Sequence, residues 1–345
     1  MGGHSRLPGR PAAGESAAVA AHAGPDGLLD LIRERVPRYF PEIPEVRDVR
    51  LTETRRRGYS DIHRISVVAA RGPAREVVVK VFPEAAAQFK ALAAVWPSFA
   101  QHPTWRVPRP LDCLADGSAL VMEAAPGRSL QARLPWIAWG GPPLRTAEAD
   151  CRRAGQWLRF YHDLVPGRTT VVDAHATRAT LDESLDNLER SGLDVGLRRS
   201  LAGRLGPTLE RLGDHARPAS HVHGDFTADN LLVAGQRVTA LDLWATVSHA
   251  VDHDIASFLN SLLLLRLTRP APWASLGRLR RAFLEGYFGG ARHDHPATTL
   301  YQVIGLADVA LEILVRRRSR LTRAWLERFL AGALEALMTA SGETR

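Results

Sequence analysis

HVHGDFTADNLLVAGQRVTALDLWATVSHAVDHD, residues 221–254, contains three oxygen-bearing side chains at a spacing that suits a metal site. Asn230 follows Asp225 by five residues, and Asp242 stands at the end of the next apolar run. Two short β-type runs on either side of residues 234–237 predict a hairpin with a glycine in its turn. In that hairpin Asp242 lies beside Asn230 at the open end. Carboxylate and amide oxygens are ligands that Mg²⁺ prefers, so we expect a magnesium site here.

The same three side chains meet the requirements of phosphoryl transfer. In that reaction one aspartate accepts the proton of the acceptor hydroxyl, while an asparagine and a second aspartate hold magnesium on the nucleotide phosphates. The HGD of residues 223–225, followed by Asn230 and Asp242, resembles the catalytic and metal-binding loops of the aminoglycoside phosphotransferase family. These are small-molecule kinases with a protein-kinase-like fold; protein kinases have His-Arg-Asp at this point. An isolated aspartate is more often a cap or an ion-pair partner, but the combination favours a kinase.

The resemblance implies a fold, a reaction and a set of roles. The fold is α+β and protein-kinase-like, with two lobes: a small β-rich N-lobe over residues 26–123 and a larger, mostly helical C-lobe over residues 124–345. Asp225 would be the catalytic base, and Asn230 and Asp242 would bind Mg²⁺. ATP or GTP would donate its γ-phosphate to a hydroxyl of a small molecule, such as an antibiotic, a sugar or a related metabolite. Residues 1–25, rich in Gly, Ala, Pro and Ser, are predicted to be a disordered tail.

Three alternating runs between residues 46 and 82 predict a β-meander. Lys80 lies in the third run after three valines, where a lysine either extends to solvent or meets an anion. The family places its phosphate-binding lysine on the third strand, so the resemblance makes Lys80 that residue. The resemblance also places the phosphate-covering loop of the family, which joins its first two strands, at Gly58 and Ser60. An ordinary hairpin turn accounts for the same two residues.

The helix predicted over residues 83–96 departs from the family pattern. Kinase-like folds have a glutamate here that pairs with the strand lysine, whereas the alignment puts Gln88 at that position. Glu84, one turn earlier, offers a carboxylate, so the sequence leaves open which of the two orients Lys80. Trp244 is a second departure, because it stands near the metal-binding aspartate where protein kinases have Phe-Gly. Both departures motivate an alternative function, a nucleotide-binding pseudokinase or regulatory scaffold without transfer activity.

ALVMEAAPG, residues 119–127, resembles the inter-lobe hinge of the family. In such a hinge the backbone from Glu123 to Ala125 hydrogen-bonds the adenine edge. An edge strand entering a Pro-Gly turn fits the same residues, but their position after Lys80 favours the hinge.

The charge and composition of the chain limit the classes of partner that it is expected to bind. The formal net charge is +8, and arginines such as Arg266, Arg278 and Arg316 lie in the region where the family binds its acceptor. Since a basic surface disfavours a polycationic ligand, we expect a neutral or acidic hydroxylated acceptor. Charge alone also raises a nucleic-acid-binding role, but the chain lacks an aromatic–basic recognition motif, and we do not expect nucleic acid as a partner.

Two further features concern location and the loop's support. Cys113 and Cys151 lack metal-ligand spacing, and the chain has neither a secretory signal nor a continuous apolar run long enough for a bilayer, so we expect a cytoplasmic protein without a membrane partner. Asp254 matches the family aspartate that opens the next helix and ties it to the catalytic loop, with Asp252 as an alternative for that role. The oligomeric state stays open.

Overall fold

The computed structural model describes residues 18–57, 60–114, 117–134, 141–164, 166–167, 169–212, 216–244, 248–268, 272–290, 296–316 and 319–340. The chain divides into two compact units. Unit 1 comprises Met1–Gly127 and Ala234–Val247, and unit 2 comprises Arg128–Val233 and Ser248–Arg345. The segment that carries Asp242 therefore groups with the β-rich unit, although it follows the catalytic loop in the chain.

The secondary structure changes from mainly strands to mainly helices along the chain. The strands are β1 (Val46–Arg57), β2 (Ser60–Ala69), β3 (Arg75–Val81), β4 (Trp105–Arg106), β5 (Pro110–Leu114), β6 (Ala119–Glu123), β7 (Arg128–Ser129), β8 (Thr170–Val171), β9 (Ala216–Arg217), β10 (Ala219–His221), β11 (Leu231–Ala234), β12 (Arg237–Ala240) and β13 (Ser248–Ala250). The helices are α1 (Ala18–Tyr39), α2 (Ala85–Gln101), α3 (Leu130–Arg133), α4 (Gly141–Leu164), α5 (Ala174–Arg190), α6 (Val195–Leu212), α7 (Asp252–Leu263), α8 (Leu265–Thr268), α9 (Trp273–Phe288), α10 (Pro296–Arg316) and α11 (Arg320–Ala340).

Unit 1 is built on an antiparallel five-stranded sheet in the order β1-β2-β3-β6-β5. Successive residues of a strand point to opposite faces. Val77, Val79 and Val81 of β3 therefore enter the core shared with α1. Val78 packs on the other face with Phe82 and residues of α2, and the alternation directs Lys80 to that face as well. The predicted β-meander is confirmed, and the alternation explains how a lysine follows three valines.

Two helices of unit 1 are longer than the sequence predicts. α1 begins at Ala18, inside the segment 1–25 that is predicted to be a disordered tail, and continues through Pro37 to Tyr39. α2 continues through Pro97 to Gln101. A proline inside a helix costs roughly 3 kcal/mol, but burial of Tyr39 at the end of α1 and of Phe99 in α2, which are 1% and 0% exposed, offsets that cost.

Unit 2 is mostly helical, as predicted for the C-lobe: α4, α5 and α6 precede the catalytic loop, and α7–α11 follow it. α4 and α9 approach closely at two glycines: a Cβ on Gly155 would lie 2.2 Å from the Phe283 carbonyl oxygen, and one on Gly286 would lie 2.1 Å from that of Arg152. Two short antiparallel pairs, β10 with β13 and β11 with β7, complete the frame around the catalytic loop.

α10 is the central helix of the larger core cluster of unit 2 and packs against α5, α6, α7 and α11. Among the described residues it is the one helix that is long and apolar enough to cross a membrane by length and composition, with a mean hydropathy of 1.5. Half of the apolar segment of this helix is buried inside the protein. The apolar composition of α10 thus accompanies its place in the helical core.

Candidate active site

Lys80 forms an ion pair with Asp242 inside unit 1. The Lys80 Nζ donates a hydrogen bond to the Asp242 Oδ1 over 2.7 Å, and Lys80 is 2% exposed. A buried ammonium requires a charged or polar partner because desolvation disfavours the charged form. β3 supplies the lysine, and the chain after β12 supplies the carboxylate. The structure therefore brings together two of the predicted site residues.

Two aromatic rings flank the Lys80 ammonium. Its Nζ lies 4.7 Å from the centre of the Phe82 ring and 5.9 Å from that of Trp244. The two rings meet edge to face, with their centres 5.8 Å apart. Cations are attracted to aromatic faces, so these rings add to the attraction from the carboxylate. Trp244, a departure from the kinase pattern in the sequence, packs directly beside the phosphate-binding candidate.

Asp242 has an unusual backbone conformation. Its φ is 57°, and it is the one non-glycine residue with a positive φ in the described part of the chain. Aspartate and asparagine adopt this left-handed region more readily than other non-glycine residues. The nearby turn glycine, Gly235, also has a positive φ, 61°, as the predicted turn between β11 and β12 requires.

Neither Gln88 nor Glu84 hydrogen-bonds to Lys80 in the part of the chain that the structure describes. Gln88 is 2% exposed, and both heteroatoms of its amide, like the Glu84 Oε2, are buried without a hydrogen-bond partner there. The partner of Lys80 is Asp242 instead. The sequence left open whether Gln88 or Glu84 orients Lys80, and in the structure neither residue does; the contact comes from Asp242, 162 residues further along the chain.

Replacing Gln88 with leucine should raise the free energy of unfolding by about 1 kcal/mol, because an unpaired buried polar group costs roughly 1–3 kcal/mol. Chemical denaturation measures the change. Gln101→Leu, at the exposed end of α2, is the matched control and should change stability by less than about 0.5 kcal/mol. A separate ATP titration tests the predicted role of Gln88 in cofactor binding. A less stable Gln88→Leu protein would show that the amide is satisfied in solution.

The predicted hinge forms the end of β6, and its amides are partly engaged. The Glu123 N–H donates to the Arg109 carbonyl, and the Ala124 N–H donates to the Glu76 carbonyl, both over 2.9 Å. The Glu123 side chain lies 3.5 Å from Arg75. These bonds commit two of the three hinge amides to the sheet. The Ala125 amide is the remaining backbone donor before Pro126, which has none.

The phosphate-covering loop is described in part. Gly58 lies outside the described residues. Ser60 opens β2 as a buried residue opposite Arg57, so its hydroxyl is enclosed at the end of the strand pair.

In unit 2, the buried carboxylate of Asp254 holds the backbone of the catalytic loop. Its two oxygens accept hydrogen bonds from the His223 N–H over 2.6 Å and from the Gly224 N–H over 3.0 Å. Asp254 lies in the first turn of α7 and is 0% exposed. The loop directly before Asp225 is therefore fixed to this helix. The role expected of Asp254 is confirmed.

Asp252 has a different role from Asp254. It accepts two hydrogen bonds from the Arg217 guanidinium, both over 2.9 Å, and one from the Thr298 hydroxyl over 2.6 Å. These contacts join α7 to β9 and α10. Asp252 is therefore a packing residue of unit 2, and of the two aspartates it is Asp254 that holds the loop.

His162, at the end of α4, is a supporting residue that sequence reasoning missed. Its Nε2 lies 3.1 Å from the Asp254 Oδ2, and its Nδ1 lies 2.7 Å from the Tyr287 hydroxyl. Burial acts to raise the pKa of Asp254, but the hydrogen bond from His162 and the nearby His253 ring, whose Nδ1 lies 3.8 Å from the Asp254 Oδ1, outweigh it and hold that pKa well below its usual range. A single histidine at the end of an amphipathic helix gives no local signal of this role.

Asp225 and Asn230 close the catalytic loop on itself. The Asn230 Nδ2 donates to the Asp225 backbone carbonyl and to its Oδ2, each over 2.9 Å. Because both partners are acceptors, the amide nitrogen must face Asp225, and the Asn230 Oδ1 points elsewhere as a potential metal ligand. The Ala228 N–H donates to the Ser261 Oγ, which ties the loop to α7 a second time. Asp225 is half-buried, so its carboxylate is partly open to solvent.

The structure thus forms two pairs of predicted site residues. Lys80 and Asp242 belong to unit 1, and Asp225 and Asn230 belong to unit 2. That the two pairs meet at one nucleotide stays a prediction.

The fold is the protein-kinase-like fold of small-molecule kinases, as predicted. It is similar to a thermostable mutant of aminoglycoside phosphotransferase APH(4)-Ia solved with ADP and hygromycin B, at 15% identity and a TM-score of 0.55, covering 91% of this chain and 98% of that chain. It is also similar to choline kinase from Cryptosporidium parvum, at 12% identity and a TM-score of 0.56, covering 92% and 95%. A third similar structure is an amicoumacin kinase in complex with AMP-PNP, Ca²⁺ and Ami, at 16% identity and a TM-score of 0.51, covering 91% and 93%.

The chain belongs to the phosphotransferase enzyme family (APH), whose model matches residues 63–299. The match includes Lys80 and the whole of residues 221–254. Comparison with curated proteins finds no significant match. The family resemblance drawn from the HGD loop is confirmed, and the protein is a small-molecule phosphotransferase.

Proposed function

We propose that this phosphotransferase moves the γ-phosphate of ATP or GTP to a hydroxyl of a small-molecule acceptor. The ion pair between Lys80 and Asp242 is the observation that carries the proposal. The two residues are 162 positions apart in the chain, and the Lys80 Nζ lies 2.7 Å from the Asp242 Oδ1. An ammonium suits phosphate oxygens, and a carboxylate suits the cation that accompanies them. The pair thus supplies one group for each part of a metal–nucleotide complex.

In this proposal the catalytic loop supplies the base. Asp225 accepts the proton of the acceptor hydroxyl at a carboxylate oxygen as that hydroxyl attacks the phosphorus. The Asn230 amide bonds to Asp225 and keeps the carboxylate oriented, while Asp254 fixes the backbone on the N-terminal side. The loop is therefore rigid before any substrate arrives, and catalysis gains from such positioning.

The residues present fit a magnesium ion. The Asp242 carboxylate and the Asn230 Oδ1 are hard oxygen donors, and Mg²⁺ is usually held by one or two protein oxygens together with phosphates and water. Asp242 is 28% exposed at its side chain and open to a ligand in addition to Lys80. When bound, the ion would neutralise charge on the transferring phosphate.

The acceptor is proposed to be neutral or acidic, although the arginines behind that prediction are largely engaged. Arg278 bonds to both Glu148 oxygens, over 2.5 and 2.9 Å. Arg316 pairs with Glu312 one turn earlier. These ion pairs reduce the local positive charge, which also weakens the argument for a nucleic-acid-binding role.

An acyl phosphate derivative of ATP tests the nucleotide site without knowledge of the acceptor. A lysine amine beside the phosphates attacks the acyl carbonyl, an amide forms and the nucleotide leaves. The chain has two lysines, Lys80 and Lys90. Because Lys90 is exposed on α2 and has no proposed contact with the nucleotide, it is an internal control. Mass spectrometry should find the acyl group on Lys80 at least about tenfold more than on Lys90 when binding concentrates the reagent there.

Excess ATP with Mg²⁺ should suppress the acylation of Lys80 and leave that of Lys90 unchanged. Equal modification of both lysines, or modification of Lys80 that ATP does not reduce, would contradict nucleotide binding at this position.

The alternative of a nucleotide-binding pseudokinase or regulatory scaffold is favoured by one observation. Gln88 places no carboxylate beside Lys80, so the ion pair typical of active kinases is missing from α2 in the described structure. Protection of Lys80 by ATP, without a phosphorylated product from any acceptor or nucleotide combination, would support this alternative.

A further inference from the structure

Helices α7, α9, α10 and α11 of unit 2 line a cavity of about 450 Å³. This helix cavity has a volume within the range of small-ligand pockets, roughly 300–1,000 Å³. Its walls are mainly apolar, and the large apolar side chains that line it are Leu259, Leu262, Leu263, Trp273, Leu276 and Leu337. A pocket of this size and composition suits a compact apolar molecule.

One buried polar side chain that lines this apolar space has an atom without a protein partner. Gln302 of α10 lines the helix cavity and is 1% exposed, and its Oε1 has no hydrogen-bond partner among the described residues. Its Nε2 is oriented toward the Asn260 Oδ1, 3.4 Å away. That contact directs the nitrogen to α7 and leaves the oxygen as an acceptor. An unpaired buried acceptor is costly, so a ligand with one donor would satisfy it.

The charges around the helix cavity favour a neutral ligand. Arg280 and Glu335 both line it, so its formal charges cancel. The guanidinium of Arg266 lies 4.3 Å from the centre of the Trp273 ring and occupies one face of this aromatic wall residue. The lining residues therefore offer no net charge to a polycation or a strong anion, and the positive charge of Arg266 is directed to the Trp273 ring.

The helix cavity and the catalytic loop contact different faces of α7. Phe258 packs against Phe226 of the loop, with ring centres 5.7 Å apart, and Ser261 accepts the Ala228 N–H. Leu259 and Leu263 line the cavity instead. At about 100° per residue, each of them points 100° or more away from both Phe258 and Ser261, so this part of the cavity lies on a different face of α7 from the loop.

We propose that the helix cavity is a binding site for a neutral, mainly apolar small molecule with one hydrogen-bond donor, a hydroxyl or an N–H. The donor bonds to the Gln302 Oε1, and the apolar body packs against the leucines and Trp273. This site is separate from the Asp225 loop and does not depend on the proposed transfer reaction.

Two probes that differ in one donor test the proposal by calorimetry with the full chain. 2-Naphthol has an apolar body and one hydroxyl, and 2-methoxynaphthalene has the same body without a donor. 2-Naphthol should bind at one site about fivefold more tightly than its methyl ether, the factor expected of one neutral hydrogen bond. Gln302→Leu should remove this difference, so that both probes bind equally.

Gly277 offers a variant that fills the helix cavity. A Cβ at Gly277 meets nothing within 4 Å, and this residue lines the cavity. Gly277→Leu should therefore weaken 2-naphthol at least about tenfold, since its side chain takes the place of the ligand. Gly203→Leu is the matched control: Gly203 is an exposed glycine of α6 with equally open surroundings, and this variant should bind 2-naphthol as the natural chain does.

Thermal unfolding of each variant confirms that the fold is kept. No saturable binding of 2-naphthol, unchanged affinity in Gly277→Leu, or an unchanged preference for 2-naphthol in Gln302→Leu would each overturn the proposal.

Discussion

Asp225→Asn should lower kcat by about a thousandfold and leave nucleotide affinity within about twofold. A positioned general base contributes about 10²–10⁴ to the rate, and asparagine cannot accept the hydroxyl proton. The substituted side chain keeps an oxygen for the bond from Asn230, so the loop should hold its shape. Turnover is measured with γ-labelled ATP or GTP over a panel of hydroxylated acceptors, and nucleotide affinity is measured separately by calorimetry.

Asp163→Asn is the matched control for charge. Asp163 is an aspartate of unit 2 whose side chain is 57% exposed and paired with Arg159 on α4. Its replacement removes one negative charge and should leave kcat unchanged. If Asp225→Asn retained turnover within about threefold of the natural chain, Asp225 would not be the base.

Asp254→Ala should lower the free energy of unfolding by about 3–5 kcal/mol, the range seen when one partner of a buried charged group is removed. The change leaves the His223 and Gly224 amides and the His162 ring without their acceptor. Chemical denaturation provides the value.

Asp173→Ala is the comparison for Asp254→Ala. The Asp173 carboxylate also accepts two backbone N–H groups, at the N-terminus of α5, but in an exposed setting. Its loss should cost about 1 kcal/mol, as is usual for a helix cap. Equal effects of the two substitutions would show that burial of Asp254 adds nothing to its contribution.

Acid should remove the contribution of Asp254 to stability. Its pKa is lowered in the folded chain from an ordinary value of 3.8. A group with a depressed folded pKa stabilises the protein fully above its unfolded pKa, and that contribution is lost as the pH falls toward the folded pKa. Between about pH 5 and pH 3, the natural chain should therefore lose stability more steeply than Asp254→Asn, which has no such titration. Parallel curves for the two proteins would contradict the assignment.

The sequence predicted most successfully where a function depends on local spacing. Asp225 and Asn230 are five residues apart, and the loop that joins them is closed by their own hydrogen bonds. Lys80 is unusual as a charge in an apolar strand run, the family resemblance predicts its phosphate-binding role, and strand alternation explains where it points. Elements that follow one regular period, such as β1–β3, are also predicted.

The sequence pattern did not predict the contacts between distant parts of the chain. Lys80 pairs with Asp242 across 162 residues, and His162 reaches Asp254 across 92. No local period encodes such distances. The ends of α1 and α2 were missed for a related reason, because tertiary burial of Tyr39 and Phe99 outweighs the local effect of proline.

The left-handed backbone of Asp242 limits which substitutions are informative at this position. An alanine there would lose the carboxylate and also incur about 1 kcal/mol of steric strain between its Cβ and the next carbonyl. Asparagine tolerates the same conformation, as aspartate does. Asp242→Asn thus isolates the loss of charge, whereas Asp242→Ala would combine the loss of the carboxylate with a displaced main chain.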